Sequence, residues 1–368
     1  MYRFSAAIVG SGFMGTTHLE ALRRLGVRVA GIACSSAQKA EAEAQALGLP
    51  KAYQDYDELI ADKSVDVVHI CVPNNLHFDM VKKALEAGKH VMCEKPLALN
   101  SDETAALVTA ARTSGVAAAV CYNLRYYALN FEARELVASG KIGRLFHING
   151  CYIQDWLQFE TDFNWRVDSA KGGALRVVAD IGTHWMDMVQ MISGRKIQKV
   201  FADLATVHPT RQNPKDQSTV TVDTEDCANI LFRMDDGLMG SFTVSQVASG
   251  RKNTIRYEIS GDQGAVAWNS EAPDELWVGH RDRPNQTIVK DPGGLSPSAA
   301  RHASYPGGHA EGYPDTFKHC FRDFYDYLEA GDMAALPPFP TFSDGHRELQ
   351  LCEAILKSHQ QSSWVDVG

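Results

Sequence analysis

Phe4-Ser5-Ala6-Ala7-Ile8-Val9 runs directly into Gly10-Ser11-Gly12-Phe13-Met14-Gly15, and a helical pattern then continues through Leu25. An apolar strand, a GxGxxG turn and a helix in that order predict the start of a dinucleotide-binding unit. The glycines have separate tasks. Gly10 allows the tight turn, Gly12 lets the backbone approach a pyrophosphate, and Gly15 lets the helix close on the strand. The helix N-terminus, with Phe13 and Met14 in its first turn, offers N–H groups and a partial positive charge to phosphates.

Working outward, apolar runs at Val27 to Ala33, Val65 to Val72, His90 to Cys93 and Val116 to Cys121 alternate with helical patterns at Ala37 to Leu47, Asn75 to Ala87 and Ser101 to Ser114. Such alternation predicts a doubly wound parallel sheet, with ligands at the carboxyl ends of its strands. After Asn123 the texture changes. A helical segment from Leu129 to Ser139 leads into strand patterns at Arg144 to Gln154, Lys199 to Val207, Cys227 to Met234, Met239 to Val247, Thr254 to Ser260 and Ala265 to Asn269. Turn signals such as Asp235-Asp236-Gly237 and Gly261-Asp262-Gln263-Gly264 separate them. Helices are expected at Asp180 to Ile192, Thr316 to Ala330 and Ser343 to Ser358. The fold class is α/β: an N-terminal Rossmann domain with a doubly wound parallel sheet over 1–122, then a C-terminal α/β domain with a large, mostly antiparallel open sheet over 123–368.

The 368 residues suit two domains, and 45% hydrophobic with 22% charged residues is a globular composition. A formal net charge of -9 gives no overall attraction for nucleic acid or an anionic membrane. Eight cysteines are scattered without a CxxC pair, and the histidines and cysteines show no metal-ligand spacing. With no charged-then-apolar leader at Met1 and no apolar stretch long enough to span a bilayer, a cytoplasmic protein is expected.

Four clusters carry chemistry. Cys71-Val72-Pro73-Asn74-Asn75-Leu76-His77 ends a central strand, where Pro73, Asn74 and His77 would pass a cofactor ribose and nicotinamide. Cys93-Glu94-Lys95-Pro96 ends the next strand, contributing Glu94 and Lys95. Asp180-Ile181-Gly182-Thr183-His184 places an acid and an imidazole four apart on one helical face. Tyr152-Ile153-Gln154-Asp155-Trp156 and Asn164-Trp165-Arg166 concentrate aromatic and hydrogen-bonding side chains.

In its GxGxxG, Glu-Lys-Pro and Asp-x-x-x-His motifs, taken in that order over nearly the whole length, the chain resembles the glucose-fructose oxidoreductase and inositol dehydrogenase (Gfo/Idh/MocA) family. That resemblance implies hydride transfer between a nicotinamide and a sugar or polyol carbon, and a second-domain sheet that forms an oligomer interface. It also implies that Lys95 hydrogen-bonds the reacting oxygen, that His184 is general base, that Asp180 supports them, and that the Lys95-Pro96 bond is cis. The physical roles agree: an imidazole titrates near neutrality, and an ammonium stabilises a developing oxyanion. Some relatives use the same cofactor for redox-neutral glycoside cleavage, which stands as the alternative, followed by a non-catalytic cofactor sensor.

Cofactor choice stays open between NAD and NADP. No acid follows the second strand, and Ser35, Ser36 and Lys39 suit either a ribose or a 2′-phosphate. For the sugar, the expected contacts are Tyr122, Asn123, Arg125, Tyr126, Gln154, Asp155, Trp156, Trp165 and Arg166, with His184. Arg125, Arg166, Lys171 and Arg176 together suggest a cationic pocket for an anionic sugar. The loop Gly308-His309-Ala310-Glu311-Gly312-Tyr313 is a candidate cover.

Overall fold

A computed structural model describes residues 2–214 and 216–368. It divides into two compact units, Met1–Asn123 with Tyr313–Leu349, and Leu124–Gly312 with Gln350–Gly368. The sequence assigned everything after residue 122 to the second domain, whereas residues 313–349 pack with the first. Their aromatic face is the reason: Phe317 and Phe321 meet the ring of His18, and Phe321 and Tyr325 meet that of His69.

In the first unit the chain forms β1 Ser5–Val9, α1 Phe13–Leu25, β2 Arg28–Ala33, α2 Ala37–Leu47, α3 Tyr56–Ala61, β3 Val67–Ile70, α4 His77–Glu86, β4 His90–Cys93, α5 Ser101–Ser114 and β5 Ala118–Val120. The strands pair in parallel in the order β2-β1-β3-β4-β5. β1 and β3 are buried at every position, which is why they read as continuous apolar runs rather than alternations. The strand order reverses between β1 and β3, so Gly10 and Cys71 stand at the switch point where such sheets hold ligands.

The second unit begins with α6 Ala128–Ala138, β6 Leu145–Ile153, the single turn α7 Ser169–Gly172 and α8 Thr183–Ser193. It continues through β7 Ile197–Ala205, β8 Thr210–Gln212, β9 Thr219–Thr221, β10 Cys227–Met234, β11 Met239–Ser245, β12 Thr254–Gly261, β13 Ala265–Asn269, β14 Glu275–Gly279, β15 Gln286–Val289 and α9 Pro297–Ala300. Helix α10 Tyr313–Ala330 then belongs to the first unit, α11 Phe342–Gln361 divides between the two after Leu349, and β16 Val365–Asp366 belongs to the second. Nine strands form one sheet in the order β15-β14-β13-β12-β6-β11-β10-β7-β16; only the β6–β11 pair is parallel. In β10, Ala228, Ile230, Phe232 and Met234 point into the core while Asn229, Leu231 and Arg233 face outward.

Helix α8 lies on the buried face of that sheet. The Trp185 ring stacks on Phe242 with centroids 4.4 Å apart, and its Nε1 donates to the Arg256 carbonyl at 2.9 Å. Gly150 makes the approach possible, since a Cβ there would stand 2.7 Å from Trp185 Nε1 and 2.2 Å from Arg256 O. The expected helix from Asp180 begins differently. A wide π-turn, Val178–Gly182, precedes α8, and the Thr183 N–H reaches back five residues to the Val178 carbonyl. No helix among the described residues is long and apolar enough to cross a membrane.

Candidate active site

In the first unit the glycine turn follows β1. Gly10 has φ +99°, and a Cβ there would fall 2.3 Å from the Cys71 carbonyl oxygen. A Cβ on Gly15 would meet the Gly10 carbonyl oxygen at 2.0 Å, but one on Gly12 would meet nothing within 4 Å. The outer glycines are therefore required by the protein's own backbone, and the middle one opens a space above it. Helix α1 has no side-chain cap at Gly12 and no acid in its first turn. Ser11, which the sequence reading passed over, has a buried Oγ with no hydrogen-bond partner among the described residues. An open backbone, an orphaned hydroxyl and an uncapped helix fit a pyrophosphate. Phe13 is exposed, half-buried Met14 follows, and the Phe13 ring lies parallel to Tyr313.

Beyond β2, the Ser36 hydroxyl accepts from Lys39 N–H at 3.2 Å and caps α2, while Ser35 and the Lys39 side chain are exposed. Pro73 is half-buried and Asn74 buried after β3. His77 lies within reach of two carbonyls, Pro96 O at 2.8 Å and Val72 O at 2.9 Å, so it braces the ends of β3 and β4 against each other. Burial lowers its pKa more than these carbonyls raise it. Glu94 is buried, Lys95 is half-buried, and the Lys95-Pro96 bond is cis. The Glu94 carboxylate accepts from Lys95 N–H at 3.3 Å. Although residue spacing suggested no metal set, the ligating atoms of His18, Glu94 and Cys121 lie within 4.8 Å of one another.

In the second unit, Asp180 stands on the π-turn and His184 on the first turn of α8. Gln246 Nε2 donates to Asp180 Oδ2 at 2.8 Å, and Arg166 Nε lies 3.3 Å from Oδ1. The Arg166 guanidinium also sits over the Trp165 ring, 4.4 Å from its centroid. His184 is buried, with its ring 6.3 Å from that of Tyr152. Burial, reinforced by the Asp180 charge, pushes the Tyr152 phenol up, so it stays protonated and donates to Asn253 Oδ1 at 2.8 Å. The same Asn253 oxygen accepts from Gln154 Nε2 at 2.7 Å, and Gln154 Oε1 accepts from Trp156 Nε1 at 2.8 Å. Asn253 and Gln246 were missed because each lies far along the chain from the residues it orients, and nothing local marks an amide as an orienting group.

The anionic-sugar expectation needs correction. Arg125 Nε bonds Asp187 at 2.6 Å, Lys171 bonds Asp168 at 2.6 Å, Arg166 pairs with Asp180, and Arg176 is buried against Asp226. Each of the four is engaged by a carboxylate, Asp226 being shared with Arg211, so they do not form the open cationic cluster that an anionic sugar would need. Several expected sugar contacts are internal. Tyr122 belongs to the core of the parallel sheet, Asn123 donates to Thr316 Oγ1 at 2.8 Å, and Tyr126 packs on the rings of Phe131 and His302. Asp155 pairs with Lys252 at 2.7 Å. In the candidate cover loop, Glu311 is buried and binds Lys290 Nζ at 2.6 Å, an internal anchor.

Residues 4–122 match the model of the oxidoreductase family with an NAD-binding Rossmann fold, and residues 131–267 match the GFO/IDH/MocA C-terminal domain. The chain is 30% identical to levoglucosan dehydrogenase of Pseudarthrobacter phenanthrenivorans, over 100% of this chain and 99% of that protein. The solved structure of levoglucosan dehydrogenase in complex with NADH and L-sorbose matches with a TM-score of 0.92 and 29% identity, covering 100% of both chains. An oxidoreductase domain protein from Kribbella flavida matches with a TM-score of 0.93 and 29% identity, again over 100% of both.

Proposed function

The chain belongs to the GFO/IDH/MocA oxidoreductase family, and from that premise we propose that it is a nicotinamide-dependent dehydrogenase acting on a secondary hydroxyl of a cyclic sugar, glycoside or polyol. The observation that carries the reading is the full-length match to a sugar dehydrogenase whose structure holds NADH and a sugar. Anhydrosugars of the levoglucosan type are the first substrates to try. NAD is preferred over NADP because that relative holds NADH, and because Ser36 is already committed to capping α2.

Gly10, Ser11, Gly12 and the N-terminus of α1 would hold the pyrophosphate. The nicotinamide, when bound, supplies the hydride acceptor. In this reading His184 takes the hydroxyl proton and Lys95 stabilises the charge developing on the substrate oxygen. Asp180, oriented by Arg166 and Gln246, supports His184 from the adjacent turn. The Gln154–Trp156 pair and the Arg166-on-Trp165 stack offer hydrogen bonds and flat faces suited to a neutral sugar. The eight free cysteines suit a reducing compartment. Exposed Leu231, Met239 and Trp277 on the nine-stranded sheet support a homo-oligomer.

The test is NADH formation from NAD with a panel of levoglucosan, 1,5-anhydro sugars, myo-inositol and D-xylose. Saturable NADH formation with one class supports the dehydrogenase. Release of the aglycone from aryl glycosides with no net NADH would replace it by redox-neutral glycoside cleavage, and inactivity in both assays would refute the reading.

A further inference from the structure

We propose that a buried hydrogen-bonded chain, Tyr325–His69–His18–Glu94, positions and electrostatically supports Lys95, with His18 as its decisive member. The proposal rests on the reading of Lys95 given above and deepens it. Tyr325 on α10, His69 on β3 and His18 on α1 are all 0% exposed, and Glu94 is 5% exposed. Three contacts of 3.0 Å join them: Tyr325 OH to His69 Nε2, His69 Nδ1 to His18 Nδ1, and His18 Nε2 to Glu94 Oε1. Glu94 Oε2 then accepts from the backbone N–H of Lys95. Four interior polar side chains are costlier than apolar ones unless every partner is met, and here each link is met in sequence.

The proton positions in this chain are constrained. With one proton on each imidazole, every donor points toward the acid: Tyr325 O–H to His69, His69 Nδ1–H to His18, and His18 Nε2–H to Glu94. A second proton on His18 reverses the first two bonds and leaves the third unchanged. In both arrangements Glu94 Oε1 receives an N–H. Burial, followed by the charge of His18, pushes His69 well down and keeps it to one proton. Burial opposes the charge on Glu94, but the hydrogen bond and charge of His18, with the charge of Lys95, hold its carboxyl below the ordinary value.

The other groups facing Glu94 are neutral. Burial first and the Glu94 charge next push up the thiols of Cys71 and Cys93. Burial likewise raises Cys121, which hydrogen-bonds both Glu94 and Cys320, and His77 is lowered by burial. Tyr325 is held neutral by burial and by the charges of Asp66 and Tyr2. Glu94 is therefore the anion that this cluster maintains beside Lys95. A metal ion is a poorer account, because the 3.0 Å His18–Glu94 contact is shorter than the roughly 3.4 Å between tetrahedral ligands at ~2.1 Å from zinc.

Without the His18 N–H, a buried Glu94 takes up a proton or turns away. Either change withdraws the anion from the Lys95 side chain, which an anhydride then labels more readily. The test is the rate at which acetic anhydride labels Lys95 across pH, read by peptide mass spectrometry, with exposed Lys82 as internal control. His18→Leu and Glu94→Gln should each speed Lys95 labelling several-fold at pH 8 and move its profile acidward, and Tyr325→Phe should do so by less. His18→Gln, which keeps a donor, should restore the wild-type profile. A folded His18→Leu variant with the wild-type profile overturns the proposal. Should that variant not fold, unchanged profiles in Glu94→Gln and Tyr325→Phe overturn it equally. A Lys95→Ala variant with native turnover would remove the catalytic reading of Lys95 while leaving the labelling result intact, so the two failures are distinct.

Discussion

A single methyl group separates three glycines that look alike in sequence. Gly12→Ala should leave the melting temperature unchanged, because its Cβ meets nothing in the protein, yet weaken NAD binding by calorimetry. Gly15→Ala should instead destabilise the fold by about 1–3 kcal/mol, since its methyl meets backbone. Unchanged NAD affinity in Gly12→Ala would remove the cradle. Glu225 gives a second residue-level prediction. Its carboxylate accepts from Arg176 N–H at 3.0 Å and Val178 N–H at 2.9 Å, anchoring the entry to the π-turn, and burial raises its pKa to about 7 despite those bonds. Between its ordinary value of 4.5 and about 7 the folded chain binds more protons here than the unfolded one. Stability from this group is therefore fully present below the lower value and lost as pH rises through the upper, by on the order of 3 kcal/mol. Urea melts at pH 5 and pH 8 should show that loss in the wild type and its absence in Glu225→Gln. An identical decline in both proteins would exclude Glu225 as the source.

At the scale of elements, Gly150 controls how closely α8 approaches its sheet. Gly150→Ala should move Trp185, cost about 1–3 kcal/mol, and lower turnover through His184 more than it weakens NAD binding. A variant with native turnover would show that His184 tolerates the shift. The same elements show where sequence reading succeeds. Buried β1 and β3, and alternating β10, announce themselves through apolar period. Short α3 and the polar pair β8 and β9 do not, and β14 and β15, of five and four residues with three of the four in β15 exposed, are too brief to set an apolar period. The π-turn is silent because its extra residue changes backbone bonding and leaves composition untouched. The glycine turn, Lys95 and His184 were legible as motifs. Tyr122, Arg125 and Arg176 were misleading for a common physical reason: an aromatic or cationic side chain looks the same in sequence whether it faces a ligand or an interior partner.

At the scale of the whole molecule, one register row crosses the open face of the large sheet through Phe201, Leu231, Ser241, Asn149, Glu258, Ala267 and Trp277. Apolar residues stand at both ends of that row, with Leu231 48% and Trp277 37% exposed. Leu231→Glu combined with Trp277→Glu should lower the mass found by light scattering to that of a monomer, and a monomeric wild type would dismiss the oligomer altogether. The division of the chain has a further consequence, in the order of biosynthesis. The first unit needs residues 313–349, and the rings that cover His18 and His69 arrive with α10. A ribosome has translated the start of the message long before it supplies those rings, so the nascent parallel sheet waits with two histidines uncovered while the whole nine-stranded unit, apart from its last segment, emerges. An early stop codon or a pause before residue 313 thus leaves the amino-terminal third without the rings that cover its two histidines, although every residue of the glycine turn has already been made.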